Sequence, residues 1–85
     1  MDVLIPTPLH SYTGSPRVQA HGETLSGLLD DLDRQFPGIR FRIVDEQNRM
    51  RPNMRCFVNN AAVFDLGLPL KESDEVVIVQ ALSGG

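Results

Sequence analysis

The sequence predicts an α+β domain in which one main helix packs on one face of a mixed β-sheet. The chain has 85 residues, which is enough for one small domain with a single modest core. One segment carries apolar residues at helical spacing, and segments with strand-like patterns lie before and after it. Because one amphipathic helix covers only one face of a sheet, the opposite face is expected to meet water or a partner.

The chain is predicted to begin with a β-hairpin. Residues 3–5 form a short apolar strand that ends at Pro6, and residues 17–21 alternate between apolar and polar side chains. Residues 10–16 between them are rich in turn formers, and Gly14 is free to take a positive φ angle. We therefore expect two adjacent strands joined by a loop that is longer than the tightest hairpin turns.

The main helix is predicted to begin after Thr24, a suitable N-cap, and to end at the Pro37-Gly38 pair. Its apolar residues recur three or four positions apart and form one stripe. These residues are Leu25, Leu28, Leu29, Leu32 and Phe36. The opposite face is acidic, and we interpret it as a solvated surface. Its carboxylates are those of Asp30, Asp31 and Asp33.

Residues 39–44 are ambiguous. Ile39, Phe41 and Ile43 alternate with arginines, which favours a strand, but a second short helix remains an alternative. A polar turn is expected at residues 45–48.

A further strand is predicted at residues 54–59. Because side chains alternate along a strand, Cys56 and Val58 share one face and Phe57 points to the other. The Asn59-Asn60 pair is expected to end this strand in a turn.

The last strand carries the strongest strand signal in the chain. Residues 66–70 are predicted to form an apolar loop over the core, and residues 71–75 form a polar turn. Residues 76–82 then make a nearly continuous β-branched run, which is typical of a central strand. We expect this strand to lie beside the first one in the middle of the sheet.

The same alternation predicts a surface for a partner protein. Val76 and Ile78 are expected to face the helix, whereas Val77 and Val79 point outward beside Phe57. An exposed apolar patch near the end of the last strand is a reasonable partner-binding surface.

Composition and charge exclude several classes of function. The net charge of −3 gives no electrostatic reason to expect binding to nucleic acid. No apolar run has the length of a membrane helix, and the first residues lack the pattern of a signal peptide, so we expect a cytoplasmic protein without a membrane span. A group of arginines suits partner contacts or solvation better than RNA binding. It comprises Arg40, Arg42, Arg49, Arg51 and Arg55.

The sequence carries no recognisable catalytic or metal-binding constellation. The single Cys56 cannot form an internal disulfide, and mid-strand it is predicted to be a buried core residue and not a nucleophile. His10 and His21 show no Cys/His ligand spacing, so no metal site is predicted.

The sequence ends in Gly84-Gly85 directly after the last strand. Glycine lacks a Cβ atom, so its backbone can approach another surface closely. At about 3.3 Å per residue, residues 82–85 reach about 13 Å when extended. The terminal carboxylate could then enter a narrow active site of another protein. We therefore expect a folded domain at residues 1–82 and a flexible tail at residues 83–85.

Six short stretches, in this order, resemble the MoaD/ThiS sulfur-carrier family, whose members have the ubiquitin-like β-grasp fold. They are residues 5–7 (Ile-Pro-Thr), 22–25 (Gly-Glu-Thr-Leu), 36–38 (Phe-Pro-Gly), 57–59 (Phe-Val-Asn), 69–76 and 81–85 (Ala-Leu-Ser-Gly-Gly). The resemblance spans nearly the whole chain. The departures are Asn60-Ala61-Ala62, Ser73 and Gln80-Ala81, where the family commonly has other residues.

The resemblance implies a carrier and not an autonomous enzyme. A partner that is similar to ubiquitin-activating enzymes would use ATP and Mg²⁺ to adenylate the Gly85 carboxylate. A sulfur donor would then convert that adenylate to a thiocarboxylate. Gly84 would give the tail a slim backbone, while Ser83 and Leu82 would set its entry to the partner's cleft. The chain itself would bind no cofactor.

The resemblance implies two further partners, namely an enzyme that accepts the sulfur and a metalloprotease that trims or recycles the tail. Within the family, the chain resembles the carriers of cysteine or homocysteine formation and of siderophore assembly. Two other functions stay open at this point: a ubiquitin-like modifier that forms isopeptide bonds, and a small subunit of molybdopterin synthase. Phe57, Val77 and Val79 are the residues that we expect a partner to contact.

Overall fold

The computed structural model of the protein describes residues 1–81, and in that range it contains three α-helices and five β-strands. In chain order they are β1 (Asp2–Leu4), α1 (His10–Thr13), β2 (Arg17–Gln19), α2 (Leu25–Gln35), α3 (Ile39–Ile43), β3 (Met54–Val58), β4 (Ala61–Val63) and β5 (Val76–Gln80). A 3-10 turn at Thr7–Leu9 precedes α1. The predicted tail, with Leu82 before it, lies outside the described residues.

The five strands form one mixed sheet in the order β2-β1-β5-β3-β4. β5 is central, parallel to β1 and antiparallel to β3, and β1 pairs with β2 as the predicted hairpin. The prediction that the first and last strands lie side by side in the middle is confirmed. A run of β-branched residues suits this position because the strand is paired along both edges.

The main helix α2 begins and ends where the sequence predicts. The Thr24 hydroxyl accepts a hydrogen bond from the backbone N–H of Gly27 at 3.1 Å, so Thr24 is the N-cap. The predicted leucine stripe is fully buried at Leu25, Leu28, Leu29 and Leu32. Phe36 is the C-cap and is partly buried against the core.

Residues 39–43 form the short helix α3, so the strand that the alternation favours is wrong and the helical alternative is correct. Gly38 opens the helix with a φ of 97°, and the Asp33 carboxylate accepts hydrogen bonds from the N–H groups of Gly38 and Arg40, each at 3.1 Å. Ile39 and Ile43 lie one turn apart and are both fully buried, whereas Phe41 is 56% exposed. In a strand, all three side chains would have pointed to the same face.

Strand β4 is absent from the sequence-based interpretation, which ends at the Asn59-Asn60 turn. Asn59 and Asn60 adopt φ angles of 51° and 71°, and two consecutive positive values are characteristic of a type I′ hairpin turn. The turn sends the chain back along β3, so that Phe57 pairs with Ala62 and Cys56 pairs with Val63.

The core lies between α2 and one face of the sheet. Its sheet side consists of inward-facing residues from β1, β3 and β5, namely Val3, Met54, Cys56, Val58, Val76 and Ile78. The predicted apolar loop covers one edge of this core, since Leu66, Leu68 and Leu70 are partly buried against it. Every buried hydrophobic residue in the described range lies between residues 1 and 78. The core of the described residues therefore ends within β5.

Candidate functional site

The site that the sequence predicts lies where β5 ends and the tail begins. Gln80 is the last residue of β5, and the backbone N–H of Ala81 donates a hydrogen bond to the carbonyl oxygen of Asn53 at 2.7 Å. This bond holds Ala81, the last described residue, against the segment that leads into β3. The proposed reacting residue Gly85, and the recognition residues Gly84, Ser83 and Leu82, lie outside the described residues.

One face of the sheet beside this point is not covered by a helix and is largely apolar. Phe57 pairs with Val77, and both are partly exposed, while Val79 is 39% exposed. The structure therefore brings together the three residues that the sequence assigns to a partner. Val76 and Ile78 face the opposite way into the core, as their alternation predicts.

A fourth residue, the aromatic Phe64, joins this surface and is missing from the sequence analysis. Phe64 is 62% exposed, and the guanidinium of Arg55 lies 5.6 Å from the centre of its ring. Arg55 pairs with Val79 across the β3–β5 ladder, so the two lie on the same face. The signal for Phe64 was the Asn59-Asn60 turn, because the hairpin register that it sets brings residue 64 beside Arg55. We refer to Phe57, Phe64, Val77 and Val79 as the sheet-face patch.

A second surface flanks the end of β5 on the helix side of the sheet. A cleft of about 310 Å³ is lined by Phe41, Arg42, Arg51, Asn53 and Gln80. Gln80 shares the inward alternation of Val76 and Ile78, so this cleft lies across the sheet from the sheet-face patch. We call it the tail-base cleft. The sequence shows Arg42 and Arg51 only as members of a basic group, because their positions along the chain do not place them next to the end of β5.

The cysteine and histidine residues do not form a catalytic or metal site in residues 1–81. Cys56 is 1% exposed, and burial raises the pKa of its thiol to about 11, so it is protonated and unreactive at neutral pH. His10 hydrogen-bonds the carbonyl oxygen of Ile5, and His21 lies 3.2 Å from the Glu72 carboxylate. The described residues contain no group of three or more metal-ligating side chains.

The acidic face of α2 holds neighbouring segments in place and is more than a solvated surface. The Asp31 carboxylate accepts a hydrogen bond from the N–H of His21 at 3.0 Å, which is the main reason why the pKa of Asp31 is lowered. Asp33 caps α3, and Asp30 forms an ion pair with Arg40 at 2.9 Å.

The amines of the chain are few, and the described ones lie away from the tail. Lys71 is the only lysine in the sequence, and it belongs to the exposed turn that precedes β5, at the opposite end of that strand from Ala81. The N-terminal ammonium of Met1 is buried; it donates a hydrogen bond to the carbonyl oxygen of Ala20 at 2.9 Å and lies 3.6 Å from the Glu72 carboxylate.

Within residues 1–81, no helix is both long enough and apolar enough to cross a lipid bilayer.

Comparisons with known proteins agree on one family. The chain matches the ThiS family over residues 3–85. It is 34% identical over 89 residues to the sulfur carrier protein CysO of Mycobacterium tuberculosis, an alignment that covers 98% of this chain and 96% of that protein. The CysO of Mycobacterium bovis matches to the same extent.

The structural comparisons give the same result. The fold superposes on a chain from the crystal structure of the Amycolatopsis orientalis BexX/CysO complex with a TM-score of 0.90 and 32% identity, covering 99% of this chain and 98% of that one. The crystal structure of Mycobacterium tuberculosis CysO gives a TM-score of 0.89 at 30% identity, with 95% and 98% coverage. SAMP1 from Haloferax volcanii gives 0.79 at 25% identity, with 100% and 98% coverage.

Proposed function

The chain belongs to the ThiS family of ubiquitin-like β-grasp proteins, and on that premise we propose that it is a sulfur carrier protein of cysteine biosynthesis. The observation that carries this proposal is that the family match continues beyond β5 to residue 85 and so includes the Gly84-Gly85 pair. The β-grasp domain would hold the tail, and the reacting atoms would be those of the Gly85 carboxylate.

The proposed chemistry uses other proteins at each step. An adenylyltransferase joins the Gly85 carboxylate to AMP from ATP and releases pyrophosphate, with Mg²⁺ on the nucleotide. A sulfur donor then attacks the acyl carbon, AMP leaves, and a thiocarboxylate remains on Gly85. A sulfur-accepting enzyme takes the sulfur, and a metalloprotease trims or recycles the tail. The carrier contributes no general acid, general base or metal to these steps.

The geometry of the described residues supports this division of roles. The hydrogen bond from Ala81 to Asn53 fixes the point from which the tail leaves the body. From that point, residues 82–85 span about 13 Å when extended, at about 3.3 Å per residue. The carboxylate can therefore reach an enclosed active site while the sheet and α2 remain outside it.

The decisive experiment measures the intact mass of the chain after incubation with its adenylyltransferase, ATP, Mg²⁺ and sulfide. A gain of about 16 Da on the peptide that contains Gly85 is expected, because one carboxylate oxygen is replaced by sulfur. Larger adducts on lysines would instead indicate a protein modifier, the role that gives SAMP1, small archaeal modifier protein 1, its name. Stable co-purification with a larger catalytic subunit would instead indicate a synthase subunit. The absence of both a mass gain and ATP–pyrophosphate exchange would refute adenylation of this chain.

Gly84→Ala tests whether the tail is threaded through a narrow channel. Gly84→Ala should reduce thiocarboxylation about a hundredfold, because a Cβ in a narrow channel displaces the reacting carbon. The melting temperature should not change, since the described core ends at residue 78. Ser83→Ala is the matched control, because it adds no Cβ and should retain most of the activity. Normal thiocarboxylation of Gly84→Ala would contradict the idea that the tail is threaded through a channel.

We propose that the sheet-face patch docks the body on the partner. Val79→Asp should weaken the affinity for the adenylyltransferase about tenfold or more, because it buries a carboxylate in an apolar contact. Ser73→Asp is the control, since it adds the same charge in the exposed turn at the opposite end of β5. Equal affinities of the two variants, measured by titration calorimetry, would show that the patch is not the contact.

A further inference from the structure

We infer that the tail-base cleft is a second docking surface, which receives a carboxylate-rich rim of the protein whose active site admits the tail. The inference rests on the proposed function, because it assumes that such a protein engages the tail. It adds a partner contact on the side of β5 opposite the sheet-face patch, and it specifies the chemistry of that contact.

The side chain of Arg51 is already held in a fixed position in this cleft. Its Nε donates a hydrogen bond to the carbonyl oxygen of Phe41 at 2.7 Å, and its guanidinium lies 4.5 Å from the centre of the Phe41 ring. The backbone N–H of Arg51 also donates to the carbonyl oxygen of Ile43. The two terminal nitrogens of the guanidinium remain as a fork for an incoming carboxylate. Because the fork is ordered in advance, less side-chain entropy is lost on binding.

The charges in the cleft are not neutralised by residues 1–81. No carboxylate of the described chain lies within 4.0 Å of a guanidinium nitrogen of Arg42 or Arg51, whereas Arg17, Arg34 and Arg40 each form an ion pair. Asp45 is close enough for Arg51 to contribute to its lowered pKa, but that carboxylate is engaged by the N–H groups of Gln47 and Arg49. A chain with a net charge of −3 thus presents a positive surface where its tail begins.

The position of the cleft identifies the occupant. Gln80 lines the cleft and Asn53 holds Ala81, so any active site that receives the tail must bring its entrance against these residues. The nucleotide that reacts with Gly85 would lie about 13 Å further along the extended tail, at about 3.3 Å per residue. Arg42 and Arg51 therefore face the entrance of the partner's channel, and carboxylates at that entrance are the groups that a pair of guanidinium ions would recognise.

Contacts between charged groups at the rim of an interface mainly change the association rate of the two proteins. Charges at the rim of an interface steer the encounter and raise the association rate, and their effect falls as salt screens them. The expected signature is therefore a salt-dependent KM for the carrier with little change in kcat. An apolar contact such as the sheet-face patch would give a KM effect that salt does not remove.

The test compares two double variants in ATP–pyrophosphate exchange catalysed by the adenylyltransferase, with the carrier concentration varied. Arg42→Gln/Arg51→Gln removes two charges from the cleft, and Arg17→Gln/Arg34→Gln removes two charges elsewhere. At low ionic strength the first pair should raise the KM for the carrier about tenfold, and the effect should shrink towards about twofold at 0.5 M salt. The second pair should stay within about twofold of the wild type throughout.

A single variant and the wild-type chain serve as additional controls for this test. Arg51 supports α3 through its bond to Phe41, so the single variant Arg42→Gln, which breaks no described hydrogen bond, is measured as well and should raise the KM about threefold. Equal KM values of the two double variants for the carrier would overturn the inference. The inference would also fail if Arg42→Gln/Arg51→Gln changed the KM for ATP and left the KM for the carrier unchanged. If the wild-type chain supports no exchange at all, the proposed function fails, and the two failures are thereby distinguished.

Discussion

Gly22 lies so close to the first turn of α2 that a larger residue does not fit. An ideal Cβ at this position would come within 2.2 Å of the backbone nitrogen of Leu28 and 2.6 Å of the carbonyl carbon of Gly27. These are backbone atoms of a helix whose leucines are packed in the core, so they cannot move aside as a flexible side chain would. We predict that Gly22→Ala lowers the free energy of unfolding by about 1–3 kcal/mol, as overpacked substitutions do.

Gly27 is the natural control for that prediction. It lies in the first turn of α2, and its nearest neighbours would be 3.5 Å or more from a Cβ, which is ordinary contact. Gly27→Ala should therefore raise the free energy of unfolding by up to about 1 kcal/mol, since alanine favours the helix. Urea denaturation of both variants checks the pair. A Gly22→Ala variant as stable as the wild type would contradict the close approach.

Cys56 is predicted to be chemically silent. At pH 8 a thiol with a pKa of about 11 is almost entirely protonated, and this one is also shielded by the core. Alkylation by iodoacetamide should therefore be much slower in the folded chain than in urea. Cys56→Ala should still form a thiocarboxylate, because the proposed function places the sulfur on Gly85 and not on the thiol. Loss of thiocarboxylation in a folded Cys56→Ala variant would assign the thiol a role that the structure does not support.

At the level of single elements, α3 offers a direct test of helix against strand. Ile43 is fully buried, so Ile43→Ala should lower the free energy of unfolding by about 2–5 kcal/mol. Phe41 is 56% exposed and its ring lies 4.5 Å from the Arg51 guanidinium, so Phe41→Ala should cost less than about 1 kcal/mol. In a strand that faced the core, both substitutions would be similarly costly. Thermal unfolding of the two variants distinguishes these cases.

The sequence misassigns α3 because a side chain of another element decides its structure. The alternation of Ile39, Phe41 and Ile43 fits a strand, but the Asp33 carboxylate caps the turn at Gly38 and starts a helix. This cap lies on α2, and its effect depends on how the chain turns after residue 36. The sequence predicts four elements correctly because the hydrophobic periodicity of each segment and the turn residues beside it indicate the same structure. They are β2, α2, β3 and β5.

Strand β4 is missed for a different reason, because its own residues carry too weak a strand signal. Ala61–Val63 is too short and too small in side-chain volume to give a strand signal alone. The paired positive φ angles at Asn59 and Asn60 return the chain along β3, and pairing with β3 then defines the strand. Phe64 joined the sheet-face patch only through this register. In β5, by contrast, the alternation of side chains is enough to predict which residues face the core and which face outward.

At the scale of the whole molecule, several carboxylates make the fold sensitive to acid. The pKa of Asp45 is lowered by the N–H of Arg49, that of Asp74 by the N–H of Lys71, and that of Asp31 by the N–H of His21. A lowered pKa means that the stabilisation is complete above the unfolded value, near about 4, and is lost as the pH falls through the folded value. The melting temperature should therefore be level from pH 7 to about pH 5 and should fall below about pH 4.

Asp45→Asn tests this assignment. The amide oxygen can still accept the hydrogen bonds from Gln47 and Arg49 but cannot titrate, so the melting temperature of the variant should approach that of the wild type as the pH falls from 7 to 3. Glu46→Gln is the control, because the Glu46 carboxylate makes no described hydrogen bond. A constant difference between Asp45→Asn and the wild type at all pH values would show that Asp45 does not contribute to the acid transition.

Only part of the candidate site is predictable from the sequence. The sequence alone indicates the tail and the outward face of β5, since both follow from residue type and alternation. The tail-base cleft was not predictable, because it joins α3, the segment before β3 and the end of β5. These segments are distant in the chain and meet only in the folded protein. Charge that is scattered along a sequence can thus be concentrated at one end of a molecule.

The placement of Lys71 and the buried amine of Met1 have a practical consequence for anyone who studies this chain. An activated acyl group reacts with an accessible amine, and seven of the eight lysine and arginine residues are arginines, which stay protonated and do not acylate. A fluorophore supplied as an active ester should accordingly couple at Lys71 alone. It would report on tumbling and encounter from the far end of β5, while the sheet-face patch and the tail-base cleft remain uncovered.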